Sequence, residues 1–371
     1  MKSSWALLFF PAALLAQGTK HQLNVSIPEG APISVVSSEW GESRAAARGA
    51  ALVIDLKTSL RFRNNSKLRL RGVSLEVRTQ DMAAGGKASV SVPSLDVYPG
   101  QDFPVRVDLR ILQPGAAGTD SGKAAVKVQL DGVLFEDLSF YGPNALQSRR
   151  TLTAWELEAR RDRQRLRVVL AKNGEDGLRQ EILSSLAQRE RLPHWDVKVA
   201  RGPAALGNGE AVQLAFSKQA DWPVEGIPSK AVRSGNEIRL PEINVSNKTD
   251  RHVRFVEYTL MARDKNGRMM SAGTLPSPVA LRPQERGALR SNIAIELRQA
   301  EGQQPVAVES LTGVLSQVEF SNGEVWIPSR TGLEQLGLGE TMPLSLEMQR
   351  LSGIYQRKGA QALIEELKKF D

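Results

Sequence analysis

From Leu52 onward apolar and polar residues take turns along the chain. Leu60 and Phe62, Leu68 and Leu70, then Val73, Leu75 and Val77 recur at every second position, with Arg, Lys, Ser and Glu between them. A period of two is that of a strand with one face in a core and one in water. The pattern continues over 88–92, 105–111 and 126–130. Breaks fall at Gly85-Gly86, Pro99-Gly100, Pro114-Gly115 and Gly118 to Gly122. Asp131-Gly132 predicts a tight hairpin between 126–130 and 133–138, because that pair tolerates positive φ. Many short strands with regular turn signals predict a sandwich. At Ser148 the period changes. Leu152, Trp155, Ala159, Leu166 and Val169 sit three or four apart, as on one face of a helix. Asn173-Gly174 ends that helix, Asp176 caps a second one carrying Leu178, Ile182, Leu183 and Leu186, and Pro193 stops it. A helical hairpin is expected over 149–190, either joining two sandwiches or packed on the first.

Strand character returns over 195–199, 212–216, 237–245 and 253–262. Asp264-Lys-Asn-Gly267 predicts a turn, and strands follow over 268–275, 289–297, 311–320 and 324–327. After Pro343 the pattern is helical again: Leu344, Met348, Leu351 and Tyr355, an interruption at Gly359, then Leu363, Leu367 and Phe370. The two strand-rich regions share an order of residues. Asn64-Asn-Ser66 precedes one run and Asn247-Lys-Thr249 the other, 183 positions on. Pro99 faces Pro283, and Val128-Gln-Leu-Asp131-Gly132 faces Val318-Glu-Phe-Ser-Asn322-Gly323, the offset drifting to 190. Similarity at a long fixed period predicts duplicated units. What repeats is turn and core residues, so the repeat speaks of architecture and not of chemistry.

The first residues change the picture of where the chain acts. Met1-Lys2, an apolar run from Trp5 to Leu15 and the small Ala16 have the form of a secretory signal peptide. The run is too short for a helix across a bilayer of about 30 Å, and an uncleaved anchor is the alternative. No cysteine is present, so neither disulfide nor lipid attachment through sulfur is expected. An exported, cysteine-free chain fits a periplasmic or secreted bacterial product. Its formal charge of +8 is spread among Arg–Glu neighbours and reads as a soluble basic surface; the exported address argues against nucleic acid as a partner.

Candidate chemistry is sparse. His21, His194 and His252 lie far apart, without a nucleophile turn and without cysteine, so neither a serine hydrolase nor a zinc site is expected. Glu156 and Glu158 sit on the arginine-rich helix, and Glu365-Glu366 beside Lys368 and Lys369, where ion pairing is the expected role. Asp264-x-Asn266-Gly267 lacks the closing glutamate of a calcium loop and reads as a hairpin turn. The Asn-x-Ser/Thr triplets at Asn24, Asn64, Asn244 and Asn247 read as side-chain-bonded turns between strands. Arg160, Arg161 and Arg163, within the densest basic stretch, read as a solvated helix face, with an anionic docking site as the alternative. Trp195, Trp222 and Trp326, beside Trp40, read as packing residues, with a sugar platform as the alternative.

In the second copy, Asn247-Lys-Thr249, Val253-Arg-Phe255, Leu260-Met-Ala-Arg-Asp264-Lys-Asn-Gly267 and Leu281-Arg-Pro283 resemble the FxLYD-type domain of exported bacterial proteins, an immunoglobulin-like module. The name-giving Phe-x-Leu-Tyr-Asp is absent, and the first copy lacks the Asp-x-x-Gly turn. The resemblance implies a non-catalytic envelope module and carries over no site residue.

The expectation is therefore a mainly β chain: signal peptide 1–16, a first immunoglobulin-like β-sandwich over 17–148, a helical linker or insertion over 149–192, a second sandwich over 193–342 and a helical tail over 343–371. The expected function is a non-enzymatic binding or scaffold protein of the cell envelope, without cofactor, whose partner is an envelope protein or polysaccharide. The alternatives are carbohydrate binding or adhesion through exposed tryptophans and, third, an enzyme with buried carboxylates.

Overall fold

The computed structural model describes residues 22–48, 51–79, 88–114, 125–192, 195–201, 209–235, 237–240, 243–289, 293–300, 304–339 and 341–370. The proposed signal peptide, His21, His194 and the turns at Gly85-Gly86 and Gly118 to Gly122 lie outside them. The first half holds β1 (Gln22–Ser26), β2 (Ile33–Ser37), β3 (Arg44–Arg48), β4 (Ala51–Asn64), β5 (Leu70–Thr79), β6 (Ala88–Val92), β7 (Asp102–Pro114), β8 (Ala125–Phe135) and β9 (Phe140–Tyr141), then α1 (Ser148–Arg191). The second holds β10 (Trp195–Arg201), β11 (Glu210–Phe216), β12 (Val224–Ile227), β13 (Ser229–Ser234), β14 (Glu237–Leu240), β15 (Ile243–Asn247), β16 (Val253–Asp264), β17 (Met269–Leu281), β18 (Arg286–Leu289), β19 (Ile293–Gln299), β20 (Val308–Phe320) and β21 (Val325–Trp326). Two helices finish it, α2 (Arg330–Gln335) and α3 (Leu346–Lys368). The chain is mainly β with a C-terminal helix.

Pairing repeats between the halves, strand by strand. β5 lies between β6 and β8 as β16 lies between β17 and β20. β1 runs parallel to β8, and β11 parallel to β20. β9 turns back on β8 as β21 does on β20, and β2 pairs with β4 as β12 does with β15. Both halves are pinned by one buried knot. Asn64 Nδ2 donates to the carbonyls of Leu68 and Val97 (2.9 and 3.0 Å), while its Oδ1 accepts from the Ser66 amide and hydroxyl. Asn247 Nδ2 donates to Arg251 and Arg282 (2.7 and 2.9 Å), and its Oδ1 accepts from the Thr249 amide and hydroxyl. Both asparagines are fully buried, and each amide adds a donor to two carbonyls, of which Val97 also accepts from the Leu70 amide and Arg282 from the Glu285 amide. Asn24 and Asn244, expected in turns, stand instead inside β1 and β15.

One predicted turn is absent. β8 continues through Asp131-Gly132 with Asp131 at an irregularity in its pairing with β5, and the chain reverses at Asp137-Leu138, where Leu138 takes φ +66°. The Ser139 amide donates to Asp137 Oδ1 as the Glu324 amide does to Asn322 Oδ1, so Asn322-Gly323 corresponds to Asp137-Leu138, 185 residues away. Gly132 serves another end: a β-carbon there would lie 1.9 Å from Phe140 Cζ. Asp131 is a buried anchor for the start of α1, accepting from the Leu146 amide (3.2 Å) and the Ser148 hydroxyl (2.5 Å).

The halves differ in how their sheets join. In the first, β2, β3, β4 and β7 form one sheet, β1, β5, β6, β8 and β9 another, and both supply one apolar core through Leu56, Leu60, Phe62, Leu75 and Val128. In the second, β4 has the broken equivalent β14 and β15, and β7 the equivalent β18 and β19. The freed part, with β13, pairs onto β11 and produces a nine-stranded sheet that curls until β10 and β17 meet.

The helices repeat too. α1 and α3 each consist of two helical stretches around a glycine outside helical geometry, Gly174 (φ +67°) and Gly359 (φ +80°), 185 residues apart. At the same offset Leu166, Leu178 and Ile182 match Leu351, Leu363 and Leu367, and all six are buried in one cluster. The ion pair Arg165–Glu181 (2.8 Å) matches Arg350–Glu366. The expected linker and tail are thus the same element twice, and they pack on each other. α1 also bridges the two β-rich halves: Leu152 sits against Gly72 of β5, and the Arg150 guanidinium lies 3.5 Å over the Phe255 ring of β16.

Candidate functional site

Glu156 and Glu158 are two positions apart, so on a helix they point about 200° away from each other. Their fates differ accordingly. Glu156 is buried and held by Arg160 (2.8 Å) and Arg163 (3.0 Å), with Arg71 at 4.0 Å. Among the described residues Glu158 has neither an ion pair nor a hydrogen bond, so the expected pairing fails for it there. It lines a cleft of about 290 Å³ between the start of α1, the strands β16, β17 and β20, and the segment 342–346. Glu257 of β16 lines the same cleft and takes only a long hydrogen bond from Ser316 Oγ (3.4 Å), whose firmer partner is the Glu257 carbonyl (3.0 Å).

Burial pushes the Glu158 carboxyl up to about 7; Asp162 and Glu257 push it the same way, while Arg161 pulls against them. Burial also raises Glu257, against the pull of Arg150 and the Ser316 hydroxyl. A narrower hollow of about 70 Å³ shares Glu158 with the cleft and is also lined by Asp162, Arg161 and Arg330. Asp162 is 1% exposed; its Oδ2 accepts from the Ser345 hydroxyl, but its Oδ1 has no hydrogen-bond donor, with Arg161 Nε 3.6 Å away. The cleft floor is hydroxyl-rich (Thr259, Ser271, Thr274, Ser316), and half-buried Trp155 stands on its wall. No cluster of metal-ligating side chains occurs among the described residues.

The residues expected to bind lie elsewhere. Trp195 and Trp222 are 8% and 5% exposed, and Trp222 packs edge-to-face on half-buried Trp326 at 6.2 Å, so no solvent-facing tryptophan row exists. The arginines differ in exposure, Arg160 being partly exposed and Arg163 buried, and all three are bonded to acceptors. Arg163 is 2% exposed, bonded to Glu156 and to Glu347 (3.2 Å), and lies 3.9 Å over the Phe370 ring. Arg161 donates to the Pro328 carbonyl (2.7 Å), and Arg160 to Glu156 and the Glu136 carbonyl. A buried Arg is kept where its donors meet carboxylates and carbonyls. Burial opposes ionisation of Glu347, yet Arg350, Ser94 and Arg163 outweigh it and hold that carboxyl below its ordinary value. The Asp264 turn is as expected, its Oδ1 accepting from the Asn266 and Arg268 amides (2.9 Å each). Glu365 and Glu366 pair with Lys368 and Lys369.

Glu257, Asp162, Trp155 and Ser316 were not singled out from the sequence as site residues. The available signal was Glu257 itself, a carboxylate inside the apolar run 253–262.

No protein family matches the chain by sequence, and no curated protein matches it. Among solved structures, a β-glucosidase from Kluyveromyces marxianus shares 8% identity over 73% of this chain and 45% of its own, with a TM-score of 0.17. Red sea bream transglutaminase shares 8% over 75% of this chain and 31% of its own, with a TM-score of 0.11. The chain spans less than half of either, and likenesses this low bear on neither fold nor activity.

Proposed function

We propose that the chain is a non-enzymatic, exported binding protein of the bacterial envelope, periplasmic or secreted, built from two immunoglobulin-like β-sandwiches, with the Glu158–Glu257 cleft as its binding site. The observation that carries this reading is where the cleft lies. The halves repeat in their knots, pairings and helical hairpins, and the cleft forms where they do not repeat. At the offset of 185, Glu158 corresponds to Pro343 and Trp155 to Glu340, so the extra turns of α1 face their own non-helical counterpart, 342–345, across the cleft. In a duplicated molecule the departure from the repeat is where selection for something besides folding shows.

The paired carboxylates also favour a second reading, an acid–base hydrolase. That chemistry needs two environments pushing the pKa values apart, one group protonated and one ionised. Here burial moves both in the same direction, which suits a ligand that restores charge balance better than it suits catalysis. The test uses protein carrying 5-fluorotryptophan at its six tryptophans, followed by fluorine NMR. The binding reading expects the Trp155 resonance (assigned with Trp155→Phe) to move saturably with a ligand, while glycoside, ester and peptide substrates stay intact from pH 5 to 8. Turnover that Glu158→Gln and Glu257→Gln each abolish would establish the hydrolase instead.

A further inference from the structure

The cleft has a chemical asymmetry that selects among ligands. Its lining is apolar at Trp155, Ile327, Met342, Leu344 and Leu346, and it also carries the carboxylates of Glu158 and Glu257, with Asp162 in the adjoining hollow. Among the described residues Glu158 has no bonded partner, Glu257 has one long hydrogen bond, and nearly wholly buried Asp162 leaves Oδ1 without a hydrogen bond, 3.6 Å from Arg161 Nε, in the adjoining hollow. Of the nearby cations, Arg150 faces Glu319 (3.6 Å), Arg330 faces Glu334 (3.1 Å), and Arg161 donates to the Pro328 carbonyl while its Nε stands 3.6 Å from Asp162 Oδ1. Anions find like charge here. A metal ion would need a cluster of ligands that the described residues do not form.

We propose that the ligand presents a primary ammonium on an aliphatic stem, of the lysine side-chain type, with the stem along the apolar lining and the ammonium between Glu158, Glu257 and the hollow of Asp162. This rests on the cleft being the binding site. An ammonium brings three donors and no acceptor, matching a site rich in unbonded acceptors. A long methylene stem gains from an apolar wall while its charged end reaches the carboxylates. A neutral polyol would satisfy the hydroxyls but leave Glu158 and Glu257 without a directly bonded cation.

Binding of a cation requires the carboxylates ionised, so it is linked to pH. The groups facing Glu158 are Asp162 and Arg161 on α1 and Glu257 on β16; Arg330 of α2 lies along the hollow, and Arg150 faces Glu257. With Glu158 titrating near 7, the ammonium binds well at pH 8 and roughly tenfold more weakly at pH 5.5, where that carboxyl is protonated.

The experiment titrates the full fluorotryptophan-labelled protein with Nα-acetyl-lysine methylamide, with the norleucine analogue lacking the ammonium, and with a neutral oligosaccharide. The expected result is a saturable shift of the Trp155 resonance by the lysine compound alone, weakened roughly tenfold at pH 5.5 and roughly tenfold by Glu158→Gln at pH 8. Circular dichroism and the other five tryptophan resonances report whether the variant is folded. Equal binding of the norleucine compound, or pH-independent binding, overturns the ammonium assignment. A Trp155 shift by the oligosaccharide alone overturns it too but leaves the cleft as the site. Binding of the lysine compound that leaves Trp155 unmoved removes both.

Discussion

Glu158 sets a stability cost that can be read by titration. Its carboxyl titrates near 4.5 in the unfolded chain and near 7 in the folded one. Below about pH 4.5 both states hold the proton and nothing is lost. Between the two values the unfolded chain releases its proton and the folded one keeps it, so stability falls as pH rises; above about 7 the cost is complete, on the order of 2 kcal/mol. Glu158→Gln should therefore match the parent at pH 4 and exceed it by about 2 kcal/mol at pH 8 in urea unfolding. An unchanged pH dependence would show that this carboxyl is ordinarily solvated. The asparagine knots make the opposite prediction. Asn247→Ala removes a donor from the Arg251 and Arg282 carbonyls and the acceptor of the Thr249 amide, and should cost about 3 kcal/mol, and Asn64→Ala a similar amount, by the same measurement. At this scale the knots were legible, because Asn-x-Ser and Asn-x-Thr at one offset name both the acceptor and its two donors. Glu257 was not: alternation says that a strand residue points inward, but not that a helix from another part of the chain leaves a gap above it.

At the level of elements, strands and helices were recognised where their period ran undisturbed, as in β5, β16 and both hairpins. The error at Asp131-Gly132 has a definite physical origin. The same dipeptide that suits a tight turn also suits a continuing strand with an irregular step, which must accept an aromatic ring from above and anchor a helix beside it. The true turn carries Leu138 at positive φ, which no turn rule would choose. Gly132→Ala should accordingly force the Phe140 ring aside and cost about 2 kcal/mol, a cost largely relieved when Phe140→Ala is added. If the two substitutions add independently in thermal unfolding, the glycine is there for another reason. The break of β4 and β7 into their shorter equivalents in the second half is invisible to periodicity, since each piece keeps the same alternation. Only pairing shows that β13 crosses to β11 and merges the sheets.

For the whole molecule, the duplication extends further than the sequence reading carried it. The stretches expected as linker and tail match at Arg165, Leu166, Gly174, Leu178 and Glu181 with their equivalents 185 residues on. Those identities lay in the sequence, but they fall outside the alternating regions where a repeat was sought. Their pairing makes one helical core from both halves, and the buried Arg163, between Glu156 of one half and Glu347 of the other, ties them electrostatically. It also places the acidic cleft, whose walls come from both halves. The most direct test is amide hydrogen exchange by mass spectrometry on Leu351→Ala. A shared core predicts that exchange rises in the partner stretch 160–186 as much as in 346–368, the two opening together. Faster exchange confined to 346–368, with 160–186 as protected as in the parent, would contradict a common core and with it the cleft built upon it.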